Sequence, residues 1–118
     1  MTNQELFNRV VAHLRAQGCA AKEWVTRSNG AKSNLCRYRT ADGKKCAVGC
    51  LIPDDRYTPE LEGKTATQEA VAAAAGLEGH NLQLATRLQV IHDWIDPREW
   101  PEQLKQLAAE FGLEVPVG

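Results

Sequence analysis

Apolar residues recur at helical spacing near the N-terminus of the chain. They stand three and four positions apart, between a capping-box pair at Thr2 and Glu5 and a glycine stop at Gly18. One face of this segment is apolar and the other is polar, as in a helix that packs on a core. The pattern predicts a helix from about Asn3 to Gln17.

Two further helices are predicted towards the C-terminus. Asn81 is a candidate N-cap for the first, which should end at Asp96 and has an apolar stripe at Leu84, Leu88, Ile91 and Ile95. Pro101 should open the second, and Gly112 should end it. Both helices should bury their apolar stripes.

An alanine-rich helix is predicted between these segments and the middle of the chain. Thr65 and Gln68 have capping-box spacing, and the helix should run through Ala75 and stop at Gly76. Its small side chains would let a neighbouring element approach closely.

The segment from Cys19 to Asn34 shows no regular period. It contains SNGAKSN, a run of small polar residues that favours a loop. Trp24 is its one large apolar residue, and we expect it to fold back and cover the core, with an exposed binding aromatic as the alternative. Residues Leu35–Arg39 then predict a short strand, followed by a turn in which Gly43 can adopt positive φ.

The run from Cys46 to Ile52 fits two structures. It could be the second strand of a hairpin or a short buried helix that stops before Pro53. The Cys46 and Cys50 pair, four residues apart, and the small Gly49 favour a helix packed closely against its neighbour. The chain is therefore predicted to be one mainly α domain over residues 1–118, with at most one short β-hairpin, although a small α+β fold is possible.

Composition and charge are typical of a folded globular domain and do not favour a protein that binds nucleic acid or membranes. Hydrophobic residues make up 43% of the chain and charged residues 25%, which is typical of a folded globular domain. The net charge is −1, so no overall field attracts nucleic acid or an anionic membrane. The N-terminus lacks the apolar run of a signal peptide, and we expect a cytoplasmic protein with no membrane partner. In that compartment four cysteines are free thiols or metal ligands rather than disulfides.

Several motifs resemble a family of small uncharacterised proteins from tailed bacteriophages and their bacterial hosts. These are CxYR at Cys36–Arg39, DGKKCAVGCLIPDDxY at Asp42–Tyr57, LEG at Leu61–Gly63 and LQxxHD at Leu88–Asp93. In that family the position of Cys50 can hold histidine or a small apolar residue. The resemblance implies no activity. It implies a phage accessory protein, and such proteins often act by binding a host or defence protein.

A zinc site is one hypothesis for the cysteines. Its ligands would be Cys36, Cys46, Cys50 and His92, with Cys19 or His80 as substitutes. Four residues span about 13 Å on a strand but about 6 Å on a helix, so the site requires the helical form of the 46–52 segment. The C-x9-C-x3-C spacing matches none of the usual zinc knuckles. We therefore predict no cofactor, with Cys46 and Cys50 as small core residues.

A thiol-dependent enzyme is the other chemical hypothesis. Cys46 would be the nucleophile and His92 the base, oriented by Asp93 or Asp96. Asp93 follows His92 directly, so on a helix its side chain should point about 100° away and orient it poorly. Cys46 leads into an apolar run, whereas a reactive thiol needs an exposed, electropositive setting. We predict that the protein is not an enzyme.

Polar and aromatic residues near the middle of the chain form the predicted binding site, which consists of Tyr38, Arg39, Asp54, Asp55, Arg56 and Tyr57. Lys44 and Lys45 add basic charge, but the patch is too small to predict nucleic-acid binding. The sequence therefore predicts a small protein that binds another protein. The sequence does not predict its oligomeric state.

Overall fold

A computed structural model of the chain describes residues 1–117. The elements, in chain order, are the helix α1 (Asn3–Gln17), the strands β1 (Lys22–Thr26) and β2 (Lys32–Cys36), and the helices α2 (Glu69–Ala75), α3 (Leu82–Trp94) and α4 (Trp100–Phe111). Single 3-10 turns lie at Gly49–Leu51, Pro59–Leu61, Gly79–Asn81 and Pro97–Glu99. The fold is mainly α with one short antiparallel hairpin, as predicted.

The first helix has the bounds and caps that the sequence predicts. The Thr2 hydroxyl accepts the Glu5 N–H at 3.0 Å, and the Glu5 carboxylate accepts the Thr2 N–H at 3.0 Å. Gly18 ends the helix in the left-handed conformation, with φ of 70°. The five apolar residues of the inner face, Leu6, Phe7, Val10, Val11 and Leu14, are all buried.

Helices α1, α3 and α4 surround most of the core. Leu84, Leu88 and Ile91 of α3 are buried, as predicted, and α3 packs against both α1 and α4. The helix ends at Trp94, because Ile95 has extended backbone angles, so the predicted end at Asp96 was too late. Ile95 is only partly buried.

Asn81 is not the side-chain cap of α3, contrary to the prediction. Its buried side chain accepts the Glu78 N–H at 3.0 Å and donates to the Met1 carbonyl at 3.2 Å and to Asn3 Oδ1 at 2.9 Å. These bonds tie the start of α3 to the N-terminus of the chain. Its Oδ1 accepts the Glu78 N–H, and no N–H of the first turn of α3 bonds to it.

The alanine-rich helix is shorter than predicted. It begins at Glu69, after a turn in which Gln68 Oε1 accepts the Thr65 N–H at 2.7 Å. Half of the predicted capping box is therefore present, but it closes a turn before the helix. Gly76 ends the helix with φ of 71°, as predicted.

Residues 22–36 form the hairpin, whereas the sequence predicted an irregular loop over residues 19–34. Lys22 pairs with Cys36, Trp24 with Asn34, and Thr26 with Lys32 in an antiparallel register. No residue of either strand is buried, so the usual alternation of apolar and polar positions is missing from the sequence. The predicted strand at Leu35–Arg39 overlaps only the end of β2.

The segment from Cys46 to Ile52 forms one helical turn. The Cys50 N–H bonds to the Cys46 carbonyl at 3.1 Å, and Ile52 is extended just before Pro53. Gly49 lies against the backbone of Tyr38, as the prediction of a closely packed glycine required. The preceding turn contains Gly43, whose φ is 89°.

Among the described residues 1–117, every helix is too short or too polar to cross a membrane.

Candidate functional site

The structure brings together only two of the four predicted zinc ligands. Ligand atoms of Cys36, His92 and Asp93 lie within 4.8 Å of one another. Cys46 is buried, and its sulfur accepts the Gly49 N–H at 3.2 Å. The Cys50 thiol donates to the Ala47 carbonyl at 3.1 Å. Both sulfurs are engaged by their own helical turn, and neither joins the Cys36 cluster.

His92 has both ring nitrogens in hydrogen bonds, and its side chain is 0% exposed. Its Nε2 accepts the backbone N–H of Ala21 at 2.8 Å, so that nitrogen carries no proton. Its Nδ1 lies 2.7 Å from Asp93 Oδ1 and donates to it. The two partners therefore fix the neutral tautomer that is protonated on Nδ1.

The expectation that Asp93 points away from His92 was wrong. Side chains of adjacent helical residues diverge by about 100°, but their Cβ atoms remain close enough for an imidazole and a carboxylate to meet. The carboxylate also accepts Gln89 Nε2 at 2.8 Å, and Gln89 Oε1 accepts the Val48 N–H at 3.0 Å. This network joins α3 to the central loop on one side and to Ala21 on the other.

The tautomer of His92 makes the cluster a poor zinc site. Binding through Nδ1 would require loss of its proton while Nε2 still accepts from Ala21, which leaves an imidazolate. Binding through Nε2 would strip the partner from the Ala21 N–H, and Ala21 is 0% exposed. Without His92 the cluster offers two ligands, Cys36 and Asp93, whereas a structural zinc site has four.

The cysteines are set up for packing rather than reaction. Burial raises the pKa of Cys46 far above its ordinary value. Burial, and next the negative charge of Asp93, raise the pKa of Cys36 to about 11. Both thiols are therefore protonated near neutral pH, and the thiolate is the nucleophile. His92 has no free nitrogen to act as a base for Cys46, and the Asp96 carboxylate is bonded to Arg98 instead.

A cleft of about 390 Å³ opens beside Cys36 and Asp93. Its walls come from the end of β2, from α3 and from the loop before α2. The buried side chain of Tyr38 forms part of this wall, and its hydroxyl donates to the Lys64 carbonyl. Since Glu62 and Lys64 also line it, the cleft carries charges of both signs and no single ligand class is favoured.

Three of the predicted binding residues contact one another. The Arg39 guanidinium lies 2.8 Å from the Asp54 carboxylate and 4.7 Å from the centre of the Tyr57 ring. Their polar groups are thus partly satisfied within the protein, although Asp54 is largely exposed. Asp55 and Arg56 are exposed and make no ion pair within residues 1–117.

Glu62 organises this region, and it was not among the predicted binding residues. Its carboxylate accepts the backbone N–H groups of Tyr38 and Arg39 at 2.8 and 3.1 Å and the Tyr57 hydroxyl at 2.6 Å. The side chain is mostly buried. Its sequence signal was only the LEG motif, so the partners of Glu62, more than twenty residues away for two of them, were not predictable.

The hairpin presents a surface that the sequence analysis missed. By register, Lys22, Trp24, Thr26, Lys32 and Asn34 lie on one face, and all five are exposed. We call these five residues the hairpin face. Trp24 is 68% exposed, so the expectation that it covers the core was wrong. Both charged residues of the face are lysines.

A second exposed tryptophan lies near the same place. Cys36 is a diagonal neighbour of Trp24 across the strands, and such neighbours are about 7–8 Å apart. The Cys36 sulfur also lies next to Asp93, and Trp94 follows Asp93 with 81% of its surface exposed.

A scan of the chain against protein-family models and searches of curated proteins and of solved structures found no match.

Proposed function

We propose that the protein binds another protein through the hairpin face, with Trp24 as the central anchor. The observation that carries this proposal is an indole 68% exposed on a hairpin in which no strand residue is buried. A large apolar side chain in water is costly, and tryptophan is enriched among the residues that dominate protein interfaces. The setting implied by the family resemblance, a phage accessory protein, suggests a host or defence protein as the partner.

The charge of the hairpin face favours an acidic partner surface. Lys22 and Lys32 flank Trp24, one on each strand, and neither makes an ion pair within the described chain. Glu23, the nearest carboxylate in sequence, lies on the opposite face, where it accepts the Ala41 N–H at 2.8 Å and pairs with Arg37. A partner with an apolar pocket for Trp24, surrounded by carboxylates that face Lys22 and Lys32, would be complementary in shape and charge.

The thiol and zinc hypotheses have weaker support. His92 has no free nitrogen, and the thiol pKa values of Cys36 and Cys46 are raised. Neither condition favours nucleophilic or metal chemistry at this cluster.

The test compares tagged wild-type protein with Trp24→Ala and with a Lys22→Glu, Lys32→Glu variant in infected host cells. Val117→Ala, which truncates a different exposed apolar side chain, is the matched control. A protein that co-purifies with the tagged wild-type protein is then isolated and titrated against the wild type and the three variants. Trp24→Ala should weaken binding by about thirtyfold or more, as loss of an interface hot spot does, and Val117→Ala should not. The charge variant should slow association and reduce its salt dependence.

Folding must be unchanged for this comparison, and the exposure of all four substituted residues predicts equal thermal midpoints. Equal affinity of the wild-type and Trp24→Ala proteins for every purified partner would exclude the hairpin face. If nuclease treatment removes what the tagged protein captures, the partner is a nucleic acid and not a protein.

A further inference from the structure

A second cavity, of about 450 Å³, lies at the other end of α1 from the N-terminus. It is bounded by the end of α1, by the first turns of α4 and by the C-terminal tail. Its volume falls in the range of roughly 300–1,000 Å³ that small-molecule sites occupy. The cavity shares no lining residue with the cleft beside Cys36.

The inner wall of this cavity is apolar. Leu14, Trp100 and Leu104 form its floor and are almost completely buried, and the apolar lining residues that keep exposed surface are Pro97, Pro101 and Val115. The Trp100 indole N–H donates to the carbonyls of Ile91 and Ile95 at 3.1 and 3.0 Å. Because that donor is already used, Trp100 offers the cavity only its ring. A ligand would therefore place an apolar chain against this wall.

The charges at the cavity have one sign. Arg15 and Lys105 line it, and no carboxylate among residues 1–117 does. Lys105 makes no ion pair in the described chain. Arg15 donates one N–H to the Pro116 carbonyl at 2.7 Å, and the remaining donors of its guanidinium have no partner there. The rim is therefore complementary to an anion.

The C-terminal tail supplies the outer wall. Gln4 and Glu114 form two reciprocal hydrogen bonds, at 2.8 and 2.9 Å, and Arg15 holds Pro116. Val115 lies between these two attachments and lines the cavity with 38% of its surface exposed. Three hydrogen bonds at exposed sites hold this wall, so it can adjust to the length of a bound chain.

We propose that this cavity binds an aliphatic monocarboxylate of medium chain length. The hydrocarbon chain would lie against Pro97, Pro101 and Val115, above the floor formed by Leu14, Trp100 and Leu104. The carboxylate would accept hydrogen bonds from Arg15 and Lys105. An apolar wall alone would accept any hydrocarbon, whereas two unopposed cations at its rim select the anionic form of the ligand. This site is independent of the hairpin face, so either proposal can fail without the other.

Decanoate is the probe, used below the concentration at which it aggregates, and decanol and decylamine are its uncharged and cationic counterparts. Calorimetric titration gives the affinity, and the indole N–H resonance of Trp100 in heteronuclear NMR spectra reports the location. Decanoate should bind and shift this resonance. Decanol should bind at least about tenfold more weakly, and decylamine more weakly still, because each loses the charged hydrogen bonds.

Lys105→Gln tests the charge without disturbing the tail, and Arg15→Gln, Lys105→Gln removes both cations. Arg9→Gln, on the same helix as Arg15 but outside this cavity, is the matched control. The single variant should weaken decanoate binding, the double variant should weaken it by about tenfold or more, and the control should not. Equal binding of decanol and decanoate, equal losses in Arg9→Gln and Lys105→Gln, or an unmoved Trp100 resonance would each overturn the proposal.

Discussion

At the scale of single residues, His92 shows how completely the surroundings define a side chain. The sequence marks it as a histidine on an apolar helical face, which suits a base, a metal ligand or a core residue equally well. The Ala21 N–H and the Asp93 carboxylate decide among these, because together they occupy both ring nitrogens. A histidine held in this way joins two parts of the chain, and both of its ring nitrogens have partners.

The thiols lead to a prediction about pH. Cys36 is partly exposed with its pKa raised to about 11, while Cys46 is buried with its pKa raised further. Labelling of native Cys36 should be slow at neutral pH and should keep rising up to about pH 11, because the thiolate fraction grows about tenfold per pH unit below the pKa. Cys46 should react only when the chain unfolds. Peptide-level mass spectrometry after a timed alkylation measures both rates.

The denatured chain provides the reference for this measurement, since both thiols then have ordinary pKa values. Rapid labelling of Cys46 in the native protein, at a rate close to that in denaturant, would contradict the packing role and restore the thiol-enzyme hypothesis.

At the scale of elements, the helical turn at residues 46–52 requires glycine at position 49. The reason is the space available there, and not the backbone conformation of the residue. Gly49 does not have positive φ. A Cβ atom at this position would lie 2.1 Å from the Tyr38 carbonyl oxygen and 2.8 Å from its carbonyl carbon. The obstruction is backbone, which cannot rotate aside as a side chain can.

Gly49→Ala should therefore destabilise the protein by about 1–3 kcal/mol or more, the usual cost of overpacking. Gly79→Ala is the matched control, because its Cβ would meet no atom within 4 Å and its φ is not positive. That control should change stability by less than about 1 kcal/mol. Chemical denaturation with urea measures both values. Equal midpoints for the two variants would show that the central turn does not pack against Tyr38.

The hairpin is the opposite case, because its sequence does not predict it. Its strands bury neither face, so the period-two pattern that usually identifies a strand is absent. Backbone pairing and the bond from the Arg37 N–H to the Ala21 carbonyl, at 2.9 Å, fix it instead. Two isolated strands are marginal in water, so attachment to the helical core maintains this one.

At the scale of the whole molecule, long-range hydrogen bonds join the hairpin, the central loop and α3. Gln89 bonds to both Val48 and Asp93, and His92 bonds to Ala21. The apolar core lies beneath this network. Burial and these hydrogen bonds contribute to the folding free energy, and a structural zinc would be a separate, direct contribution.

Removal of metal should therefore leave the fold intact. Circular dichroism spectra and thermal midpoints should be the same with and without a strong chelator, and elemental analysis should find far less than one zinc per chain. The refolded, chelator-treated protein serves as the control for adventitious metal. One zinc per chain, together with loss of helical signal on chelation, would show that the Cys36 cluster binds metal despite the engaged nitrogens of His92.

The sequence by itself determined the features whose partners lie nearby in the chain. The capping box of α1, the glycines that end α1, α2 and α4, the buried stripe of α3 and the turn at Gly43 all depend on bonds or contacts within a few residues. Local backbone geometry and helical periodicity are sufficient to predict them. The same reasoning identified Gly49 as a point of close packing, although not its partner.

Only the tertiary structure decided the features that depend on distant partners. The bond between Ala21 and His92 joins residues 71 positions apart, and it occupies one ring nitrogen of the histidine. The exposure of Trp24 and the cavity beside Trp100 follow from which elements pack together and which do not. Composition and hydrophobic periodicity indicate which face of a segment is buried and which is exposed to solvent. They do not indicate which other segment packs against that face, or whether a cavity remains beside it.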